Sequence, residues 1–174
     1  MSDVPEGVVL ERNRDLAGRS HHPYYRQALL CLTAVLPVLA LLGVFGQEPS
    51  TTTAEAQAAK LSVTAPERLR SGLIFQVRVE VLAHRNIHEL QIVFDKGWWE
   101  SMSVNTIEPE PSSAASQNGR VALSYGALQA GQSLTAWIYF QVNPTNVGKR
   151  REDVEIADGS MPLAHLHRSL TIFP

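Results

Sequence analysis

These 174 residues contain one cysteine, so no internal disulfide can form. Charge of one sign is equally lacking: 15 basic against 17 acidic groups leave a net charge of −2, which gives no global pull toward nucleic acid. Lysine is scarce, at Lys60, Lys96 and Lys149, so the other twelve cations are arginines, and with abundant alanine this fits a GC-rich bacterial genome. Neither a G-x-x-x-x-G-K-[ST] nor a G-x-G-x-x-G phosphate loop occurs, and no G-x-S-x-G nucleophile elbow. The expectation is therefore no enzyme, no cofactor and no small-molecule substrate. Glu108 and Glu110 flank Pro109, and Glu152-Asp153-Glu155 follow Lys149-Arg150-Arg151; these carboxylates read as solvated turns, the second set alternatively as a contact for a charged partner.

What is there is a long apolar run, Ala28 to Gly46, with no charge in 19 residues. As a helix it covers about 28 Å, close to a hydrocarbon core of about 30 Å. Lipid leaves backbone amides no partner outside the segment, so residues 28–46 are expected as a transmembrane helix, kinked at Pro37, with Thr33 helping the carbonyls that the proline frees. Cys31 lies inside the run as a small apolar filler. Arg12, Arg14, Arg19 and Arg26 precede the run and no Lys or Arg falls in residues 47–59, which keeps the N-terminus in the cytoplasm and exports the C-terminal part across the plasma membrane. Tyr24 and Tyr25 suit the interface. A cleaved signal peptide, ending near Val44-Phe45-Gly46 or Ala54-Glu55-Ala56, is the competing reading; the length of the run and the four acids ahead of it favour an uncleaved anchor. Residues 1–27 read as a disordered cytoplasmic tail.

Residues 47–59 carry no large apolar side chain and read as a flexible linker. From residue 60 the pattern turns to period two. Phe75, Val77, Val79, Val81 and Ala83 share one strand face; so do Leu90, Ile92 and Phe94, then Val121, Leu123 and Tyr125, then Leu134, Ala136, Ile138, Phe140 and Val142. Turn signals such as Arg70-Ser-Gly72, Asn118-Gly119 and Asp158-Gly159 separate them. Strands are expected over 61–65, 73–83, 87–94, 102–107, 120–126, 133–142, 154–157 and 167–173, with residues 108–117 as the longest loop, because Pro109 and Pro111 remove ladder donors. Seven to eight short strands over residues 60–174 make an all-β, immunoglobulin-like antiparallel β-sandwich.

The stretch Tyr125-Gly-Ala-Leu-Gln-Ala-Gly-Gln-Ser-Leu-Thr-Ala-Trp-Ile-Tyr-Phe-Gln-Val142, then Pro144 and Gly148, with Leu170-Thr-Ile-Phe-Pro174 at the close, resembles the late strands of bacterial immunoglobulin-like surface modules of the CARDB and DUF11 types. The resemblance spans residues 61–174 and implies a non-catalytic extracytoplasmic module.

If the apolar set of residues 134–142 faces the core, Thr135, Trp137, Tyr139 and Gln141 face outward, toward a partner or packed across the sheet on Arg78 and Glu80. Trp137 and Tyr139, with Trp98 and Trp99 after Gly97, are the candidate contacts for an integral-membrane or envelope protein. The alternative is metal handling: His84 and His88 are four apart, His165 and His167 two apart on one strand face, and four imidazoles brought together would suit zinc or copper. A purely structural spacer is the third reading.

Overall fold

The computed structural model describes residues 22–44 and 46–174, which divide into a helical unit and a β unit, taken separately below. Helix α1 runs His22–Leu41, about 30 Å, and is long and apolar enough to cross a membrane. It begins earlier and ends earlier than the 28–46 expected. Pro23 falls in the first turn, where a missing N–H leaves no intrahelical bond unmade. At the other end Gly43 takes φ 72, and the Val44 and Gly43 N–H groups donate to the carbonyls of Leu39 and Ala40, both at 3.1 Å. This pattern satisfies the last carbonyls and stops the helix. The helix continues through Pro37. Thr33 does not serve a carbonyl freed by the proline; its hydroxyl donates to the Leu29 and Leu30 carbonyls at 3.1 and 3.0 Å. Of the expected tail, residues 1–21 lie outside the described residues and the rest belong to α1.

The β unit contains, among the described residues, thirteen strands: β1 Pro49–Glu55, β2 Ala59–Pro66, β3 Arg68–Arg70, β4 Ile74–Ala83, β5 Ile87–Phe94, β6 Met102–Glu108, β7 Ser113–Gln117, β8 Arg120–Leu128, β9 Ser133–Val142, β10 Gly148–Arg151, β11 Val154–Asp158, β12 Met161–Leu166 and β13 Ser169–Phe173. Two five-stranded sheets, ordered β1-β2-β4-β9-β6 and β12-β11-β5-β8-β7, face each other, and β10-β13-β3 forms a small third sheet. Every pairing is antiparallel except β13 with β3. The chain is thus an all-β sandwich preceded by one apolar helix, with five strands beyond the eight expected.

The core lies between the large sheets. Leu61, Val63, Val77, Val79, Ile138 and Phe140 enter from the first, and Leu90, Ile92, Phe94, Leu123, Val154 and Ile156 from the second, all buried as the period-two pattern requires. Trp98, on a single 3-10 turn at Lys96–Trp98, is 0% exposed, its ring 5.7 Å from Phe94 and 5.6 Å from Phe140. Its indole N–H donates to the Asp153 carbonyl at 3.2 Å. Trp98 is therefore a core residue and presents nothing to a partner, correcting its candidacy as a contact. Gly97 beside it is required by proximity: a Cβ there would lie 1.8 Å from the Arg151 carbonyl oxygen.

The flexible linker expected over 47–59 is also corrected. Its residues 49–55 form β1, in register with β2 from Pro49↔Pro66 to Glu55↔Lys60. β-branched threonines favour extended backbone, and Ser50, Thr52 and Ala54 are small enough to face inward at a sheet edge. The expected loop 108–117 likewise ends in a strand, β7, exposed at all five positions at the edge of the second sheet. Prolines gather at such edges: Pro49 opens β1, Pro109 follows β6 and Pro162 lies in β12 opposite a register shift in β11. An edge position leaves the missing N–H without consequence.

Candidate functional site

Two groupings of side chains stand out. The first is the outer face of the β1-β2-β4-β9-β6 sheet. Strand pairing aligns Thr51, Thr64, Arg78, Trp137 and Glu108 in one row across all five strands. The Thr51 and Thr64 hydroxyls are 2.8 Å apart, and the Arg78 guanidinium carbon lies 5.4 Å from the Trp137 ring centroid. Arg78 also approaches Glu80 at 3.6 Å. In the next row Gln76 hydrogen-bonds Tyr139. Both Trp137 and Tyr139 are half-buried, and Ile74 and Leu82, on the same face of β4, are exposed. The outward orientation expected for Thr135, Trp137, Tyr139 and Gln141 is the one found, with the cross-strand packing on Arg78. Trp99 is half-buried at the sandwich end, its ring edge-on to Phe94 at 5.9 Å and to Phe140 at 5.6 Å.

The second grouping lies where β10, β11 and β12 converge with β13. Asp153 is buried; its Oδ1 accepts the Arg168 backbone N–H at 3.2 Å, and its Oδ2 lies 3.1 Å from His167 Nδ1. The His165 and His167 rings meet edge-on, with centroids 4.3 Å apart. His84 and His88 do not join them: His84 Nε2 is 2.7 Å from Glu55 Oε1, and His88 Nδ1 is 3.2 Å from Asp158 Oδ2. The four-imidazole arrangement considered from the sequence is therefore replaced by two histidines and one carboxylate. An open groove passes the cluster, lined by Thr52, Glu67, Lys149, Arg151, Asp153, His167 and Arg168.

Behind this groove sit two buried ionisable residues, Arg168 and Glu152. Arg168 donates to the carbonyls of Ser50, Val63 and Ala65, to the Thr52 hydroxyl at 2.8 Å and to the Ser50 hydroxyl, tying β1 and β2 to the segment between β12 and β13. Desolvation lowers its pKa, offset in part by the charges of Glu152 and Glu67. Glu152 is 0% exposed, and neither carboxylate oxygen has a hydrogen-bond partner within the protein. Burial pushes its pKa up to about 8, against the pull of Arg168 and Arg150.

Glu152 and Asp153 are residues that sequence reasoning misplaced, as part of a solvated turn, and Arg168 is one it did not single out. The signal for Arg168 was parity, because Ala164, Leu166, Arg168, Leu170 and Ile172 alternate in one inward-facing set, all buried. The signal for Asp153 was the turn at Asp158-Gly159, which folds β12 back along β11 so that Val154 pairs with Leu166 and Glu155 with His165.

No protein-family model matches the chain, and no curated protein matches it. Among solved structures it is similar to the non-cellulosomal cohesin from the hyperthermophilic archaeon Archaeoglobus fulgidus, at 12% identity over 73% of this chain and 92% of that one, with a TM-score of 0.41. It is also similar to CaCohA2 from Clostridium acetobutylicum, at 11% identity over 68% of this chain and 93% of that one, with a TM-score of 0.43.

Proposed function

We propose that this chain is a single-pass membrane protein that presents its β-sandwich outside the cytoplasmic membrane as a non-catalytic module for binding an integral-membrane or envelope protein. The turn and strand pattern of residues 125–148 supports a place among immunoglobulin-like surface modules of the CARDB and DUF11 kind. Helix α1, with Arg19 and Arg26 on its N-terminal side, supports the anchor and its orientation. Because β1 absorbs most of the expected linker, only residues 42–48 connect α1 to the first strand, at most about 25 Å of extended chain. Such a tether raises the effective concentration of the module for a partner in the same membrane.

The observation that carries the binding role is the outer face of β4 and β9. Trp137 and Tyr139 lie there with exposed Ile74 in the next row, flanked by Arg78, Gln76 and Glu108, which matches an aromatic anchor within a polar rim. The test is photo-cross-linking in native membranes with a cross-linker at Gln141, alongside a C-terminal topology reporter. A specific adduct with one membrane or envelope protein, lost in the Trp137→Ala, Tyr139→Ala double variant while that variant stays folded, is the expected result. An adduct that survives both substitutions removes this face as the contact, and a reporter active only in the cytoplasm removes the orientation.

A further inference from the structure

We propose that Asp153, His165 and His167 form a binding site for one late divalent transition ion, Zn²⁺ or Cu²⁺. This goes beyond the protein-binding role of the outer sheet face and uses none of its residues. The local chain geometry makes the site. Spacing of two at the end of β12 puts both imidazoles on one side of the backbone, with ring centroids 4.3 Å apart, and the β11–β12 hairpin brings Asp153 alongside. One donor atom from each of the three residues lies within 4.8 Å of the others. A tetrahedral ion with bonds of about 2.1 Å needs donors separated by about 3.4 Å. Asp153 Oδ2 and His167 Nδ1 are already 3.1 Å apart, so closure falls mainly to the exposed His165, which is free to change rotamer.

Asp153 is a positioned ligand. It is buried, and its second oxygen is held by the Arg168 backbone N–H, so little side-chain freedom is lost when an ion arrives. Two nitrogens and one oxygen suit zinc or copper, whereas calcium and magnesium take oxygen cages. Arg151 competes for the same carboxylate, its Nη2 3.5 Å from Oδ2, but its side chain is 80% exposed and can swing into solvent. Lys149 and Arg168 line the adjoining groove and oppose a dication, which sets the affinity below that of a closed structural zinc site. Three protein ligands leave a fourth position for water or for a donor brought by another molecule.

The experiment titrates the full-length chain, stripped with chelator and held in detergent, with Zn²⁺ by calorimetry and with Co²⁺ by visible absorption. One ion should bind at this site with a tetrahedral Co²⁺ spectrum. His165→Ala and His167→Ala should each weaken it by more than about tenfold, since even an outer partner of a metal ligand is worth that much. His84→Ala, His88→Ala and the His21→Ala, His22→Ala pair should leave it unchanged. Absence of a stoichiometric ion overturns the proposal, as does an ion retained in the His165→Ala, His167→Ala double variant. Asp153 also supports the fold, so the histidine variants carry the decision; neither outcome bears on partner capture by Trp137 and Tyr139.

Discussion

Glu152 and Arg168 stand opposite each other across the continuation of the β11–β12 pairing, the Glu152 N–H donating to the Arg168 carbonyl at 3.0 Å, with both residues buried on the core side. Their circumstances differ. Arg168 has five hydrogen-bond acceptors; the Glu152 carboxylate has no donor.

That asymmetry sets the first prediction. Arg168→Met removes the bonds to β1 and β2 and leaves buried carbonyls of Val63 and Ala65 without that donor, and should cost about 3–5 kcal/mol. Glu152→Gln keeps the shape, replaces a carboxyl that burial already holds mostly protonated at neutral pH, and leaves every Arg168 bond in place, so its cost should fall well below that. Chemical denaturation of both variants checks the order; equal losses would show that the pair acts as one unit.

The second prediction concerns where the folded unit begins. A fragment of residues 60–174 lacks β1, deprives Arg168 of its Ser50 and Thr52 acceptors and bares the edge of β2. A fragment of residues 47–174 retains them. The longer one should melt several degrees higher, about 4 °C per kcal/mol for a domain of this size. Coincident melting curves would return β1 to the status of a linker.

Tryptophans separate fold from contact. Trp98→Ala opens a cavity beside Phe94 and Phe140 and should cost about 3–5 kcal/mol. Trp137→Ala should cost far less, and a double-mutant cycle with Arg78→Ala should return a coupling of about 0.5–1 kcal/mol, the scale of an exposed cation–π pair. Loss of partner binding in the Trp98 variant would thus report unfolding, and in the Trp137 variant would report the interface.

Asp158 gives a pH prediction. The register of β5 skips His88 and Glu89, and Asp158 Oδ1 accepts their two free N–H groups at 2.9 and 2.8 Å. The bond from Glu89, with further contributions from His88, holds the Asp158 pKa below its ordinary 3.8. Below 3.8 the unfolded chain takes up the proton first, so this stabilisation is present at neutral pH and is lost as the pH falls through the lowered folded value. Asp158→Asn should shrink the difference in denaturation midpoint between pH 7 and pH 3; an unchanged difference would assign the acid sensitivity elsewhere.

Much of this architecture is legible in apolar alternation. Residues 75–83 and 134–142 declare two central strands because each buries one side chain in two, and α1 declares itself because no charge interrupts it after Arg26. Three of the five strands that escaped have no apolar face to show. β1 is Pro-Ser-Thr-Thr-Thr-Ala-Glu, β7 is exposed throughout and β10 is Gly-Lys-Arg-Arg, and each exists because a neighbour offers it backbone partners. The outer face of β9 followed from parity alone. The His165–His167–Asp153 cluster needed hairpin register as well, which spacing along the chain does not carry.

The prolines at the sheet margins bear on how the module meets other molecules. An edge strand recruits foreign strands through its free N–H and carbonyl groups, and Pro49, Pro109 and Pro162 each withhold a donor at or beside such an edge. Strand-by-strand joining, whether to a ligand peptide or to further copies of the chain, is disfavoured at those margins. Association at those three margins is steered toward side-chain surfaces, which leaves the proline-free edge of β7 as the one open to backbone pairing among the four outer strands of the two large sheets.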